Sequence, residues 1–183
     1  GRERICFLKS PVELIFKKDN IRIKPQVKFI SIDDTTFDYE LAFEENIRIK
    51  WRISVNTLGI QMQFSCNIDF NIIADKMELV FPFEPAVAVA SIISSNWNID
   101  AKFKLPAIIS IPDLGQMLLS SKKQPDILGR CNGSRTEKWI TMAIELPVNT
   151  QIREFDLIFE KTVLNVPKGP KYPRLESNPC HKW

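Results

Sequence analysis

Strict alternation of apolar and polar residues in the segment NIRIKWRISV constrains this chain more than any other feature. Apolar side chains occupy every second position from Ile47 to Val55, and Arg48, Lys50 and Arg52 stand between them. Successive residues of a strand point to opposite faces of a sheet. The segment is therefore predicted to form a strand with one apolar and one basic face.

The alternation resumes after the turn sequence NTLG, in the segment IQMQFSCNIDFNI. Every second residue from Ile60 to Ile72 is apolar, Phe64 among them. Two alternating runs joined by a short Asn- and Gly-containing turn predict a hairpin, with Trp51 and Phe64 on its buried face. Both predicted strands exceed the common length of about five or six residues, which favours a large sheet.

Weaker strand patterns precede and follow this hairpin, and no segment shows ten or more residues of helical period. Residues 86–95 (AVAVASIISS) are expected to form one or two helical turns at most. Strands in series without helices between them indicate an all-β fold, an antiparallel two-sheet sandwich with little helix. We expect residues 1–166 to form this single domain. Residues 167–183 are expected to be a linker or the start of a missing C-terminal domain, in a piece of a longer protein that opens on Gly1.

The composition excludes several classes of partner. Hydrophobic residues make up 44% and charged residues 26% of the chain, which is ordinary for a soluble globular domain. There is no run of about 18 apolar residues, so no membrane span is predicted. A net charge of +3 is too small to indicate a nucleic-acid partner.

Residues that commonly carry catalysis or bind metals are few and scattered. His181 is the only histidine and lies in the predicted linker. Cys6, Cys66, Cys131 and Cys180 are too widely spaced for a zinc site, and we expect buried free thiols, with disulfides left open. The six glycines form no nucleotide-binding pattern. The sequence predicts no catalytic residue, no metal and no cofactor.

The polar face of the second hairpin strand consists largely of amides, which is unusual for an exposed sheet. Each amide provides both a donor and an acceptor, which suits contact with a neighbouring domain or a sugar, although plain solvent exposure explains the row equally well. The basic row on the first strand is explained by solvent exposure or by acids on a neighbouring strand. The predicted domain-contact residues are Gln61, Gln63, Asn67, Asp69 and Asn71, with Ser65 between them.

Four residues are candidates for ligand binding. Trp97 and Trp139 are the aromatic side chains on which a sugar ring would stack, although a tryptophan at a sheet edge is more often part of the core. Asp100 and Asp113 are the carboxylates near them in the sequence. Residues 132–134 (NGS) fit a glycosylation acceptor, but an Asn-Gly pair more commonly marks a turn.

The region from Phe81 to Arg135 resembles a known family. The segments FPFEPAVAVASIISSNWNIDAKFKLPAIISIPDLGQMLL and LGRCNGSR are similar to the N-terminal β-sandwich domain of large bacterial six-hairpin glycosidase-like proteins. The resemblance implies a sandwich of the galactose-mutarotase-like, or supersandwich, kind, followed by an (α/α)-toroid domain that holds the catalytic carboxylates. It also implies that Ile108 to Ile111 pair in a sheet, bracketed by Pro106 and Pro112.

The resemblance leads to one functional expectation and leaves two alternatives. We expect a non-catalytic domain of a carbohydrate-active protein, secreted or periplasmic, that packs on the toroid and shapes its cleft. One alternative is an autonomous carbohydrate-binding module that uses Trp97 or Trp139. The other is a structural or adhesive sandwich without a ligand.

Overall fold

The structure is a computed structural model, and it describes most of the predicted sandwich domain. The described residues are Leu8 and the ranges 10–43, 46–83, 88–89, 98–111, 115–124, 126–134 and 139–162. Fourteen strands and one short helix lie in these ranges. No helix in them has the length and hydropathy to span a membrane.

The strands are named in chain order. They are β1 (Glu13–Lys18), β2 (Ile21–Ile23), β3 (Gln26–Ile32), β4 (Thr36–Ala42), β5 (Arg48–Asn56), β6 (Gly59–Cys66), β7 (Lys76–Phe83), β8 (Ala88–Val89), β9 (Asn98–Lys104), β10 (Ala107–Ile111), β11 (Gly115–Ser120), β12 (Leu128–Ser134), β13 (Trp139–Leu146) and β14 (Glu154–Thr162). The helix α1 spans Phe70–Ile73.

The strands form two antiparallel sheets, which confirms the predicted all-β sandwich. The smaller sheet has six strands in the order β2-β1-β7-β13-β12-β9, and the larger has eight in the order β3-β4-β5-β6-β14-β11-β10-β8. Residues from both sheets, such as Phe16 and Leu79 of the smaller and Phe64 and Leu157 of the larger, form one buried core. The chain crosses between the sheets through the two residues Lys24 and Pro25, which joins β2 to β3 at one side of the sandwich.

The hairpin predicted from the alternation is present as β5 and β6. Ile53 lies opposite Met62 and Trp51 opposite Phe64, so the apolar residues of both strands share the inner face. The rings of Trp51 and Phe64 stack with centroids 5.4 Å apart and planes inclined by 15°. Phe64 is fully buried, and Trp51 is half-buried and packs against the core.

An aromatic row extends this stack across five neighbouring strands of the larger sheet. Its members occupy directly opposed positions on β3, β4, β5, β6 and β14, and we call them the aromatic row: Phe29, Tyr39, Trp51, Phe64 and Phe155. Neighbouring ring centroids are 4.4 to 5.6 Å apart, at the short end of the distances found in favourable aromatic pairs. The row is buried at Phe155 and reaches the surface at Phe29, which is 41% exposed.

The second strand of the hairpin is shorter than the sequence pattern indicates. It ends at Cys66 rather than near Ile72, and the chain then turns into α1. Burial explains the turn, because Phe70 is fully buried and packs on Phe155 at the end of the aromatic row, with ring centroids 5.3 Å apart. Ile72, predicted to face the core, is instead 53% exposed.

Two other local expectations also differ from the structure. Asn132 and Gly133 lie inside β12 and not in a turn, since they pair with Thr141 and Ile140 of β13. Gly133 is buried in this strand, where sheet pairing overrides the turn preference of the dipeptide. Most of residues 86–95, where one or two helical turns were expected, lie outside the described residues, but Ala88–Val89 is a strand.

The proline-bracketed segment forms a strand as expected. Ala107 to Ile111 is β10 and pairs with β11, directly after Pro106. Ile109 is 2% exposed and belongs to the core, whereas its neighbour Ile108 is only half-buried. Pro112 lies outside the described residues.

Truncating Ile109 should destabilise the domain much more than truncating Ile108. Ile109→Ala removes buried methyl groups and leaves a cavity, which costs about 2–5 kcal/mol. Ile108→Ala, on the opposite face of the same strand, should cost about 1 kcal/mol or less. Urea melts of the two variants measure the difference, and equal losses would contradict the assignment of β10 to the core.

Candidate functional site

The outer face of the larger sheet unites the two polar rows noted in the sequence. The hairpin register places Lys50 opposite Ser65 and Arg52 opposite Gln63, so basic and amide side chains lie next to each other. Their apolar neighbours on both strands point to the core, which leaves this face to polar groups. The sequence rows are therefore two halves of one surface.

This surface contains a shallow depression, which we call the outer groove. It has a volume of about 390 Å³ and lies over β3 to β6 and β14. The polar residues that line it are Asp38, Lys50, Arg52, Gln63, Ser65, Lys123 and Glu154. Ile30, which is 50% exposed beside a register shift in β3, supplies an apolar side chain at its margin.

Ion pairs fix several of the charged side chains in the outer groove. The Arg52 guanidinium donates to Asp38 twice, from Nε to Oδ1 at 2.7 Å and from Nη2 to Oδ2 at 2.6 Å. This pair raises the pKa of Arg52 through its hydrogen bond and its charge interaction with Asp38. Lys123 forms an ion pair with Glu154 at the other side of the groove. Both carboxylates are thus held beside a cation.

A buried carboxylate positions the loop that supplies Lys123. Asp156 is 3% exposed, and its Oδ1 accepts hydrogen bonds from the Ser121 hydroxyl and from the backbone N–H groups of Lys122 and Lys123. Three hydrogen bonds compensate for the burial of the charge. Asp156 therefore holds this loop over the sheet. The sequence did not indicate this role, because Asp156 is a single polar residue in the otherwise apolar segment FDLIF.

Gln61, Gln63 and Ser65 lie on the outer face as predicted, and their side chains make no hydrogen bond within the described ranges. The other three members of the predicted row do not share that face, because β6 ends before them. The Asn67 side chain links the two strands at the open end of the hairpin. It accepts from the Arg48 N–H at 3.2 Å and donates to the Asn46 carbonyl at 2.7 Å.

Asp69 and Asn71 lie around the helix α1. Asp69 accepts from Arg153 Nε at 2.6 Å and from the Gln151 N–H at 3.1 Å, which ties the end of the hairpin to the segment before β14. Asn71 lies in α1, and its Oδ1 is buried without a hydrogen-bond partner in the described part of the chain. Asp69 therefore has a local structural role that the alternation could not reveal.

The predicted ligand-binding residues fall in a different part of the molecule. Trp97 and Asp113 lie outside the described residues, and only the backbone of Trp139 is described. Asp100 is exposed on the edge strand β9. The pairing of β9, β12 and β13 brings Asp100 and the backbone of Trp139 to the same end of the smaller sheet. When the Asn132 side-chain amide is oriented so that its oxygen and its nitrogen both have suitable partners, its Nδ2 donates to Asp100 Oδ1 at 3.0 Å.

The described cysteines are free thiols. Cys131 is buried, and burial raises the pKa of its thiol to about 12. Cys66 is half-buried, and burial raises its pKa as well. Thiols with raised pKa values are poor nucleophiles at neutral pH, because the thiolate is the reactive form. Among the described residues, no group of three or more His, Cys, Asp or Glu side chains is arranged to hold a metal ion.

Comparison with known proteins does not assign a family. No family model and no curated protein matches the chain. Among solved structures, it aligns with the 4-alpha-glucanotransferase from Thermococcus litoralis at a TM-score of 0.47 and 12% identity. The alignment covers 88% of this chain but 28% of that enzyme. Similarity at this level does not indicate an activity for this chain.

Removing the Asp69 carboxylate should destabilise the domain in a pH-dependent way. The Arg153 side chain, and then the Gln151 N–H, lower the pKa of Asp69. Stability from a carboxylate with a lowered pKa is present above its unfolded pKa of about 3.9 and is lost as pH falls through the folded pKa. Asp69→Asn should therefore lower the melting temperature at pH 7, and the difference from the wild type should shrink below about pH 4.

Two further variants control this measurement. Arg153→Gln breaks the same pair and should show the same dependence on pH. Asp34→Asn removes an exposed carboxylate and should leave the melting temperature nearly unchanged at neutral pH. A loss for Asp69→Asn that is equal at pH 7 and pH 3 would show that the ion pair is not its cause.

Proposed function

We propose that this chain is a non-catalytic β-sandwich domain of a carbohydrate-active protein, and that its outer groove packs against a helical domain of that protein. The outer groove supports the proposal most directly. It presents Lys50, Gln63 and Ser65, which make no hydrogen bond or ion pair within the described ranges, between ion pairs that hold the surrounding side chains in place. Such a surface offers fixed charges together with unused donors and acceptors.

The chemistry of the groove favours a protein surface over a sugar as its partner. Sugar rings stack on exposed aromatic faces, but Tyr39, Trp51 and Phe64 direct their rings to the inner side of the sheet. The side chains left on the outer face are charged groups, amides and a hydroxyl, with Ile30 at the margin. Protein–protein interfaces commonly combine hydrogen-bonding groups with apolar contacts.

Several described carboxylates are held in structural contacts, which supports a structural role for them. The two carboxylates in the outer groove, Asp38 and Glu154, are each paired with a cation. A general acid must hold a proton near the working pH, which requires a raised carboxylate pKa. Asp33 and Asp69 have lowered pKa values, because Thr35 and Thr36 donate to Asp33, and Arg153 and Gln151 donate to Asp69. In our proposal the catalytic acid and base belong to the helical domain, as the family resemblance implies.

A second candidate function is glycan binding at the end of the smaller sheet. The strand register places Trp139 opposite Ser134, and Ser134 opposite Asn98, which is next to Trp97 in the chain. The backbone of Trp139 and the exposed Asp100 thus lie at one end of β9, β12 and β13. A glycan array probed with this chain and with its Trp139→Ala variant tests this alternative, which requires saturable binding that the variant loses.

Charge reversal in the outer groove should weaken docking. Lys50→Glu places a carboxylate among the paired acids of the groove, and we expect about ten-fold lower affinity for the helical domain of the parent protein, supplied as a separate chain. Lys102→Glu is the matched control, because it makes the same change at an exposed position on the outer face of the smaller sheet. Titration calorimetry measures both. Equal affinities for the two variants would place the interface elsewhere.

The chain alone should not hydrolyse glycosides. Aryl glycosides with different sugars, incubated with purified protein at pH 5 to 8, should release phenol at the rate of a buffer blank. Asp38→Asn and Glu154→Gln distinguish real turnover from contamination, since a contaminating enzyme remains active in preparations of both variants. Turnover that either variant abolishes would refute the non-catalytic assignment.

A further inference from the structure

A second cavity opens between the two sheets, on the side of the larger sheet opposite to the outer groove. It lies where β1 and β2 of the smaller sheet face β3, β4 and β5 of the larger sheet, and we call it the inner cleft. Its volume of about 460 Å³ falls within the range typical of small-molecule sites. The residues that line it are Val12, Leu14, Phe16, Arg22, Ile23, Lys24, Pro25, Val27, Tyr39, Leu41, Trp51 and Ile53.

The inner cleft exists because the smaller sheet does not fully cover the edge of the larger one. Val27 and Phe29 belong to the inner face of β3, where they lie opposite Leu41 and Tyr39. They are nevertheless 64% and 41% exposed. The Lys24–Pro25 crossing between β2 and β3 borders the opening on this side. Of Val27 and Phe29, Val27 lines the cavity, and exposed apolar side chains beside a cavity are typical of a binding site.

The lining of the inner cleft suits a hydrocarbon rather than a sugar. Most of its residues are aliphatic, and the aromatic row leaves little ring face for stacking. One face of Trp51 is covered by Phe64, stacked at 15°, and the other is adjoined by Tyr39, tilted at 38°. Ring edges therefore face the cleft together with aliphatic side chains, which favours burial of a flexible apolar chain.

The charges at the inner cleft favour an anionic head group. Arg22 and Lys24 are the charged residues of its lining, and both are basic. Arg22 lies opposite Lys17, on the face of the smaller sheet away from Phe16, and pairs there with the exposed Glu13 at 3.1 Å. Lys24 has no ion pair within the described residues, so an anion at the mouth meets its uncompensated positive charge. A buried N–H donor lies nearby, since Trp51 Nε1 has no hydrogen-bond partner in the described part of the chain.

We propose that the inner cleft binds a single-chain anionic amphiphile, such as a medium-chain alkyl carboxylate. The alkyl chain lies between Leu14 and Leu41, and the carboxylate lies beside Lys24. This site is separate from the outer groove, and the proposal does not depend on the docking function. It uses Val27 and Lys24 at the mouth of the cleft.

Titration calorimetry with three eight-carbon amphiphiles tests the ligand class. Octanoate, octyltrimethylammonium and octyl glucoside share an alkyl chain and differ in the head group, and all are used below their micelle-forming concentrations. We expect saturable binding of octanoate at one site, at least about five-fold tighter than binding of the cationic and the sugar amphiphile. Decanoate, with two more methylene groups, should bind about ten-fold tighter than octanoate because the added groups are buried.

Two pairs of matched variants test the location. Val27→Glu places a carboxylate at the cleft mouth and should weaken octanoate binding about ten-fold or more. Leu58→Glu places a carboxylate at an exposed turn outside the cleft and should leave octanoate binding unchanged. Lys24→Gln should weaken binding about two- to five-fold, and Lys28→Gln, on the outer side of the same edge, should leave it unchanged. Because Val27, Leu58, Lys24 and Lys28 are all exposed, these variants should retain the fold, which thermal melts verify.

Four results would overturn the proposal. The first is no saturable octanoate binding at millimolar concentration. The others are equal affinity for the three head groups, equal effects of Val27→Glu and Leu58→Glu, and equal effects of Lys24→Gln and Lys28→Gln. Tighter binding of octyl glucoside than of octanoate would instead identify the cleft as a sugar site. Decanoate binding no tighter than octanoate binding would show that the alkyl chain stays in solvent.

Discussion

The fold depends most on the aromatic row that crosses the inner face of the larger sheet. Five aromatic side chains oppose one another on five adjacent strands, and such pairs contribute about 0.5–1.5 kcal/mol each beyond the burial of their surface. A shift of one residue in any pairing would turn that strand's aromatic residue to the outer face. The row therefore fixes the register of these strands, and with it the positions of all side chains on both faces.

Both proposed binding surfaces follow from this register. On the outer face, it aligns Asp38, Arg52 and Gln63 across three strands, which creates the outer groove. On the inner face, the aromatic row becomes exposed between Trp51 and Phe29, because the smaller sheet does not cover this part of the larger sheet. The inner cleft opens at this position. One sheet thus presents a polar surface suited to a protein domain and an apolar cavity suited to an alkyl chain.

Sequence patterns were informative where burial alternates with a period of two. They predicted the hairpin and the face of Trp51 and Phe64, whereas the strand after Pro106 was expected from the family resemblance. They failed where tertiary contacts decide, as at Phe70, whose burial against Phe155 ends the strand although the alternation continues to Ile72. They also missed both cavities, because the partners of Lys50 and Val27 come from strands whose order in the sheets no local pattern encodes.

A double-mutant cycle on Trp51 and Phe64 tests the central importance of the aromatic row most directly. Trp51→Leu and Phe64→Leu retain apolar bulk and strand propensity but remove the stacked pair at 5.4 Å. Urea unfolding of the wild type, both single variants and the double variant gives their coupling free energy. We predict a coupling of about 1 kcal/mol in favour of the intact pair. Additive losses, within about 0.3 kcal/mol, would show that the strands are aligned by burial alone and would contradict this account.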